Sequence, residues 1–306
     1  MRSRKWAGFR SIVCPVDFSE SSRRALRYAA SVAARSDASL TVAYANDPWL
    51  VTAAATELND RGFVKRSARE LRRFIDASLS VRSRRQLRLK SHVSIGSAGD
   101  EILRAASTMR SDLIVMGTQG LTDADRWLLG STTLNVLQRT AVPVLAVPTF
   151  GVLRSQSLTS WPRGRLVAAL DLGPRANEVV ETSARIAQWF ESSLLLIHVV
   201  SAIAAPAWLR GALTGRDRLH LARARQDLED LAAIARRRVE TDVRLVCGRP
   251  ADEIAALVAE ERAGLVVTTL RDRAGWFGAR RGSVSYHVLS HAVVPVLACP
   301  QQWRPR

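Results

Sequence analysis

VPVLAVP, residues 142–148, returns as VPVLACP at residues 294–300, identical at six of seven positions and displaced by 152 residues. Other marks keep that displacement. Gly130-Ser131 reappears as Gly282-Ser283, Asp100-Glu101-Ile102 as Asp252-Glu253-Ile254, and DLIVM from Asp112 as GLVVT from Gly264, while Asp17 and Asp171 are 154 apart. A period of this length is far beyond a solenoid repeat and matches one domain, so the chain reads as a tandem duplication. The boundaries expected are a first domain over 1–148, a linker over 149–163 rich in Ser, Pro and Gly, and a second domain over 164–306.

Within each copy strands alternate with helices. SIVCPVD (11–17) reads as a buried strand, and Ser19 is placed to cap a helix whose Ala25, Leu26, Ala29, Ala30 and Ala33 share one face. SLTVAYAN (39–46) is a second strand. An irregular stretch from Asp47 follows, then an arginine-rich helix over about 57–82 that turns Phe63, Leu71, Phe74 and Ile75 inward. LRLKSHVSIG (87–96) is a third strand, 99–109 a helix, DLIVMG (112–117) a fourth strand, 130–139 a helix and VPVLAVP the fifth strand. The second copy repeats the order from Arg165. Strands joined by crossover helices form parallel sheets covered on both faces, so the expected architecture is α/β: two tandem Rossmann-like domains, each a five-stranded parallel sheet.

In such sheets ligands bind beyond the carboxyl ends of the strands, where the connections change side. MGTQGLTDADRWLLGST (116–132) leaves the fourth strand there and carries Gly117, Gly120 and Gly130-Ser131. Gly117 and Gly120 permit close backbone approach and positive φ, and Gly130-Ser131 opens a helix whose free amides attract phosphate. The spacing predicts a phosphate cradle. It is neither a Walker A loop, which needs a lysine after the glycine, nor a dinucleotide fingerprint, which follows the first strand. The competing reading is a tight loop shaped by glycines, with Asp17 capping the first helix.

These residues resemble the universal stress protein family, whose ATP-binding members carry this glycine spacing after the fourth strand; the likeness covers nearly the whole chain as two copies. It implies an adenine nucleotide alpha hydrolase-like fold, ATP as ligand, with Mg2+, and a nucleotide-dependent regulatory role in stress response. By the same resemblance Asp17 would contact the adenosine portion, Ala45 would meet adenine through its backbone, and Met116 and Gly117 would line base and ribose. Gly120, Gly130, Ser131 and Thr132 would hold the phosphates. One departure is plain: family loops often carry a basic residue or His near the second glycine, whereas here Gln119 and Leu121 stand there, with Asp123, Asp125 and Arg126 beyond.

The second copy alters the cradle. Aligned on Gly282-Ser283, the earlier glycines become Thr269 and Asp272, a Cβ where backbone must approach and a carboxylate facing phosphate charge, and Asp171 alone does not restore a site. The expectation is one ATP per chain, in the first copy. The second serves as a structural partner, with Arg271, Arg273, Arg280 and Arg281 able to attract some other anion. In the family two domains pair antiparallel through the fifth strand. VPVLAVP and VPVLACP are therefore expected to make that pair within one chain, an intramolecular pseudo-dimer, with further homodimerisation and a protein partner left open.

Other chemistry has little support. His287 and His291 lack a third ligand at metal-site spacing, no Gly-x-Ser-x-Gly elbow occurs, and Cys14, Cys247 and Cys299 lie in or beside apolar strands as small hydrophobes. No catalytic set emerges, so the expected activity is binding, with at most slow ATP hydrolysis; a slow ATPase or nucleotidyl-transfer enzyme of the same superfamily is an alternative. The formal charge of +17 raises another, a nucleic-acid-associated protein. Arginine is spread through nearly every segment and its densest groups, 82–85 and 236–238, sit near helix ends, so nucleic acid is not favoured. No apolar run nears the roughly 20 residues of a membrane span, and the basic N-terminus lacks a signal-peptide core, so the expected location is cytoplasmic.

Overall fold

The computed structural model describes residues 6–56, 62–119, 129–149, 161–201, 210–270 and 284–305. By packing, the chain divides into two compact units. One comprises Ala7–Trp161 with Leu270–Trp303, the other Met1–Trp6, Pro162–Thr269 and Arg304–Arg306. The packing boundary therefore differs from the sequence repeat: the last part of the second copy packs with the first.

In the larger unit the strands are β1 (Ser11–Pro15), β2 (Ser39–Asn46), β3 (Arg88–Ile95), β4 (Leu113–Gly117) and β5 (Val144–Val147), arranged β3-β2-β1-β4-β5 and all parallel. Ile12, Val13 and Cys14 of β1, and Leu113, Ile114 and Val115 of β4, have no exposed surface. Fully burying each aliphatic side chain contributes roughly 1.5–3 kcal/mol, so the two central strands form the rigid part of the platform. Between them lies the reversal point: β1 connects outward to β2, whereas β3 crosses back to β4.

Helix α1 (Glu20–Ser36) begins at Ser19, whose hydroxyl accepts from the Ser22 amide, and it buries Ala25, Leu26, Ala29, Ala30 and Ala33 against the sheet. The stretch expected to be irregular from Asp47 instead holds α2 (Pro48–Thr56). The arginine-rich helix is divided into α3 (Phe63–Ser78) and α4 (Val81–Gln86), with Ser80 capping the second piece. Leu71, Phe74 and Ile75 are buried as expected, while Phe63 is only half-buried. Helix α5 (Ala98–Thr108) precedes β4, and α6 (Ser131–Arg139) precedes β5. Trp161 of the linker packs edge-on against Tyr28 of α1, 5.0 Å between ring centres.

The sheet of this unit ends on β10 (Val296–Pro300), the strand of the second VPVL motif. It pairs antiparallel with β5, setting Val296 opposite Ala146, Leu297 opposite Leu145 and Ala298 opposite Val144. The expected edge pairing is present within one chain.

The smaller unit contains β6 (Leu166–Leu170), α7 (Ala176–Phe190), β7 (Leu194–Ser201), α8 (Arg210–Arg236), β8 (Thr241–Gly248), α9 (Pro250–Glu260) and β9 (Leu265–Leu270), with parallel strands in the order β9-β6-β7-β8. Helix α10 (Val284–His291) precedes β10. Cys14 and Cys299 are buried, as expected, but Cys247 is exposed on β8. Burial pushes the Cys14 thiol far above its ordinary pKa, which holds it in the non-nucleophilic form. No helix among the described residues is long and apolar enough to cross a membrane.

Candidate nucleotide-binding cleft

At the carboxyl ends of β1, β2 and β4 the larger unit opens into a cleft of about 440 Å³. Asp17, Ala45, Met116, Gly117, Gly130, Ser131 and Thr132 all stand on its wall. Gly120 lies outside the described residues, as do Leu121, Asp123, Asp125 and Arg126.

Strand β1 hands the chain to Asp17 through a local hydrogen-bonded turn. Asp17 Oδ1 accepts from the backbone amide of Ser19 at 3.0 Å and from its hydroxyl at 2.5 Å, while Ser19 Oγ accepts from the Ser22 amide at 3.1 Å. The cap of α1 is thus Ser19, and Asp17 braces the cap rather than forming it. Phe18 between them has φ 65°, an uncommon conformation for a bulky residue. Its ring lies 4.6 Å from Tyr44 and 5.5 Å from Phe74, contacts that hold this backbone in place.

Gly117, the last residue of β4, is required for a reason the spacing does not reveal. A Cβ there would lie 2.2 Å from Ser21 Oγ and 3.2 Å from the Ser21 backbone carbon, so the first turn of α1 occupies the space. Its φ is outside the left-handed region, and the expected use of positive φ does not apply. The loop that follows leaves and returns at one point. The Gly130 amide donates to the Thr118 carbonyl at 2.9 Å, and the Thr118 amide to the Val147 carbonyl at 3.0 Å.

Gly130 then serves as the N-cap of α6, with no side-chain capping bond. The first intrahelical bond runs from the Leu134 amide to the Gly130 carbonyl, so the amides of Ser131, Thr132 and Thr133 belong to the turn that has no intrahelical acceptor. With the positive end of the helix dipole, this turn forms the anion-attracting end of the cleft. Thr133, absent from the expected set, fixes α6 to the strand by donating its hydroxyl hydrogen bond to the Gly117 carbonyl at 3.0 Å.

Tyr44 and Glu101 were also unforeseen on this wall. Burial, reinforced by the charge of Asp17, raises the Tyr44 pKa, so the phenol remains a neutral donor beside the carboxylate. Glu101, buried, pairs with Arg104 at 2.9 Å and lies under the end of β3, where a Cβ on Gly96 would come within 2.7 Å of Glu101 Oε1. The second copy repeats the arrangement: a Cβ on Gly248 would meet Glu253 Oε1 at 2.3 Å. That recurrence at the 152-residue offset was the available signal, and it marks Glu101 as part of the scaffold. Asp17, Asp47 and Glu101 line the cleft, and no cationic side chain does so among the described residues.

In the smaller unit Asp171 follows β6 as Asp17 follows β1, but it is exposed, and Gly173 stands in the place of Ser19. The capping hydroxyl is gone; α7 starts only at Ala176, after Arg175 as an N-cap with no side-chain bond. His198, the counterpart of Tyr44, has Nδ1 2.9 Å from the Leu170 carbonyl. Thr269 lies in β9, while Asp272, Gly282, Ser283 and the arginines of that loop fall outside the described residues. So does the side chain of His287, and among the described residues no cluster of His, Cys, Asp or Glu is arranged to hold a metal ion.

Comparison with known proteins agrees with the duplication. The profile of the universal stress protein family matches residues 8–148 and again residues 162–300. A universal stress protein of Mycobacterium tuberculosis is 30% identical over 145 residues, which make up 47% of this chain and 99% of that protein. One from Methanocaldococcus jannaschii is 27% identical over 139 residues, 45% of this chain and 82% of that protein. Among solved structures, a universal stress protein from Archaeoglobus fulgidus superposes with a TM-score of 0.63 at 20% identity, covering 95% of this chain and 98% of that one.

Proposed function

The chain belongs to the universal stress protein family, and on that premise we propose that its first copy binds one ATP per chain, as the magnesium complex, and acts as a nucleotide-dependent regulator. The observation that carries this reading is the cleft at the reversal point. It has an apolar wall from β1, β2 and β4 for a base, and at its far end an α6 turn whose amides have no intrahelical acceptor. Three carboxylates on the wall favour a nucleotide whose charge is already partly neutralised by a divalent cation. Asp17, Ala45, Met116 and Gly117 are assigned to the nucleoside; Gly120, Gly130, Ser131 and Thr132 are assigned to the phosphates.

Occupancy would tether the segment between Gly117 and Gly130 to the start of α6, and it would bias that surface only through differential affinity for ATP. The test is calorimetric titration of magnesium-ATP into the wild type and a Gly130→Asp variant. Aspartate is a good N-cap, so α6 persists, while its carboxylate opposes the phosphates. The expected result is one site per chain in the wild type and none in the variant. Two equivalent sites, or undiminished binding in the variant, would contradict the assignment.

A further inference from the structure

Positive charge is less evenly spread than the arginine count suggests. Residues 62–90 hold ten lysines and arginines against Glu70 and Asp76, a surplus of eight in less than a tenth of the chain. The matching segment of the second copy, 214–242, holds seven against six. A uniform compositional preference would have enriched both.

Helices α3 and α4 carry most of the first set and are joined by the Asp76–Arg84 ion pair. Helix α3 buries Leu71, Phe74 and Ile75 and leaves Lys65, Arg69 and Arg72 exposed, and α4 buries nothing and exposes Arg82 and Arg85; Lys90 of β3 is in register with Thr41, on the side of the sheet that Val13 and Ala43 turn to α5, and does not share this surface. The two acids are engaged locally, Glu70 with Arg73 at 2.6 Å and Asp76 with Arg84, and Arg88 pairs with Asp37 at 3.1 Å. Among the described residues Lys65, Arg69, Arg72, Arg82 and Arg85, the five exposed cations of α3 and α4 just named, form no ion pair. None of them lines the nucleotide cleft.

From this juxtaposition we infer that the α3–α4 face is a docking surface for the phosphate backbone of double-stranded nucleic acid, independent of base sequence. Arginine, which supplies eight of the ten charges, presents a planar fork that matches phosphate oxygens. The 16 residues of α3 extend about 24 Å, roughly seven base pairs of duplex. An anionic membrane is the poorer fit, because interfacial binding needs an apolar side to insert and Val81 is the sole exposed large hydrophobic residue of the segment among those described. Duplex binding does not depend on the ATP assignment.

The experiment is fluorescence anisotropy of a labelled 20-base-pair duplex with the full chain, titrated from 50 to 200 mM salt. Three chains are compared: wild type, Arg69→Gln/Arg72→Gln/Arg85→Gln, and a control of equal charge change, Arg223→Gln/Arg225→Gln/Arg237→Gln. With five phosphate contacts the wild-type affinity is expected to fall about 500-fold over that range, a slope of log affinity against log salt near −4.5. The first triple variant should lessen the slope by about 3 and the control should leave it unchanged. Equal losses in both variants, no duplex binding by the wild type at 50 mM salt, or binding to phosphatidylserine vesicles without binding to duplex would each overturn the inference. Magnesium-ATP calorimetry on the first variant reads the cleft separately, so the two assignments fail independently.

Discussion

At the scale of residues, Gly117 and Ser21 form a pair that neither sequence neighbourhood announces. The glycine spacing after β4 was legible and located the cleft, but the reason for the first glycine was not, because Ser21 approaches it only through the adjacency of β1 and β4. The second copy shows the same dependence from the other side: where Thr269 replaces the glycine, the helix after β6, the counterpart of α1, starts late, at Ala176, and Arg175 occupies the position of Ser21. Gly117→Ala is expected to destabilise the fold by about 1–3 kcal/mol, the cost of forcing a methyl group into filled space. Ser21→Gly in the same chain removes the nearest contacts and should recover at least half of that loss. Urea unfolding of both single variants and the double variant checks the coupling; strictly additive changes would show that Ser21 is not the obstacle.

At the scale of elements, periodicity revealed nearly every strand and helix because each has one face on a sheet. Helix α2 escaped it. PWLVTAAAT has polar side chains only at Thr52 and Thr56, buries only Ala54 and leaves Trp49 83% exposed, so little 3.6-residue alternation was there to read. The division of the arginine-rich helix was legible in hindsight from Ser80, a good cap in the middle of the run. Helices α1 and α7 are the informative contrast, built on matching strands but started differently. Ser19→Ala should lower stability by about 1 kcal/mol, since the Ser22 amide loses its acceptor and Asp17 loses a donor. Gly173→Ala, at the corresponding point of the second copy, points into open space and should be neutral or stabilising by up to about 1 kcal/mol. Thermal or chemical denaturation of the two variants reads the difference; equal losses would mean that capping at Ser19 contributes nothing particular to the first copy.

At the scale of the whole molecule, the duplicated VPVL motif disclosed both the repeat and the pairing of its fifth strands, but not where packing divides the chain. That division depends on β10 closing the edge of β5, a long-range contact that no local pattern encodes. A chain ending at residue 270 would leave Val144–Val147 as an open apolar edge, and it should self-associate in a concentration-dependent way, followed by sedimentation. A strictly monomeric truncated chain would show that the edge needs no cover. The same pairing has a consequence for biosynthesis. At about 5–20 residues per second a ribosome needs roughly 8–30 s to pass from the end of β5 to the end of β10. Throughout that interval the nascent first copy presents an unpaired strand to its neighbours on the polysome, waiting for a partner encoded a whole domain further along the message.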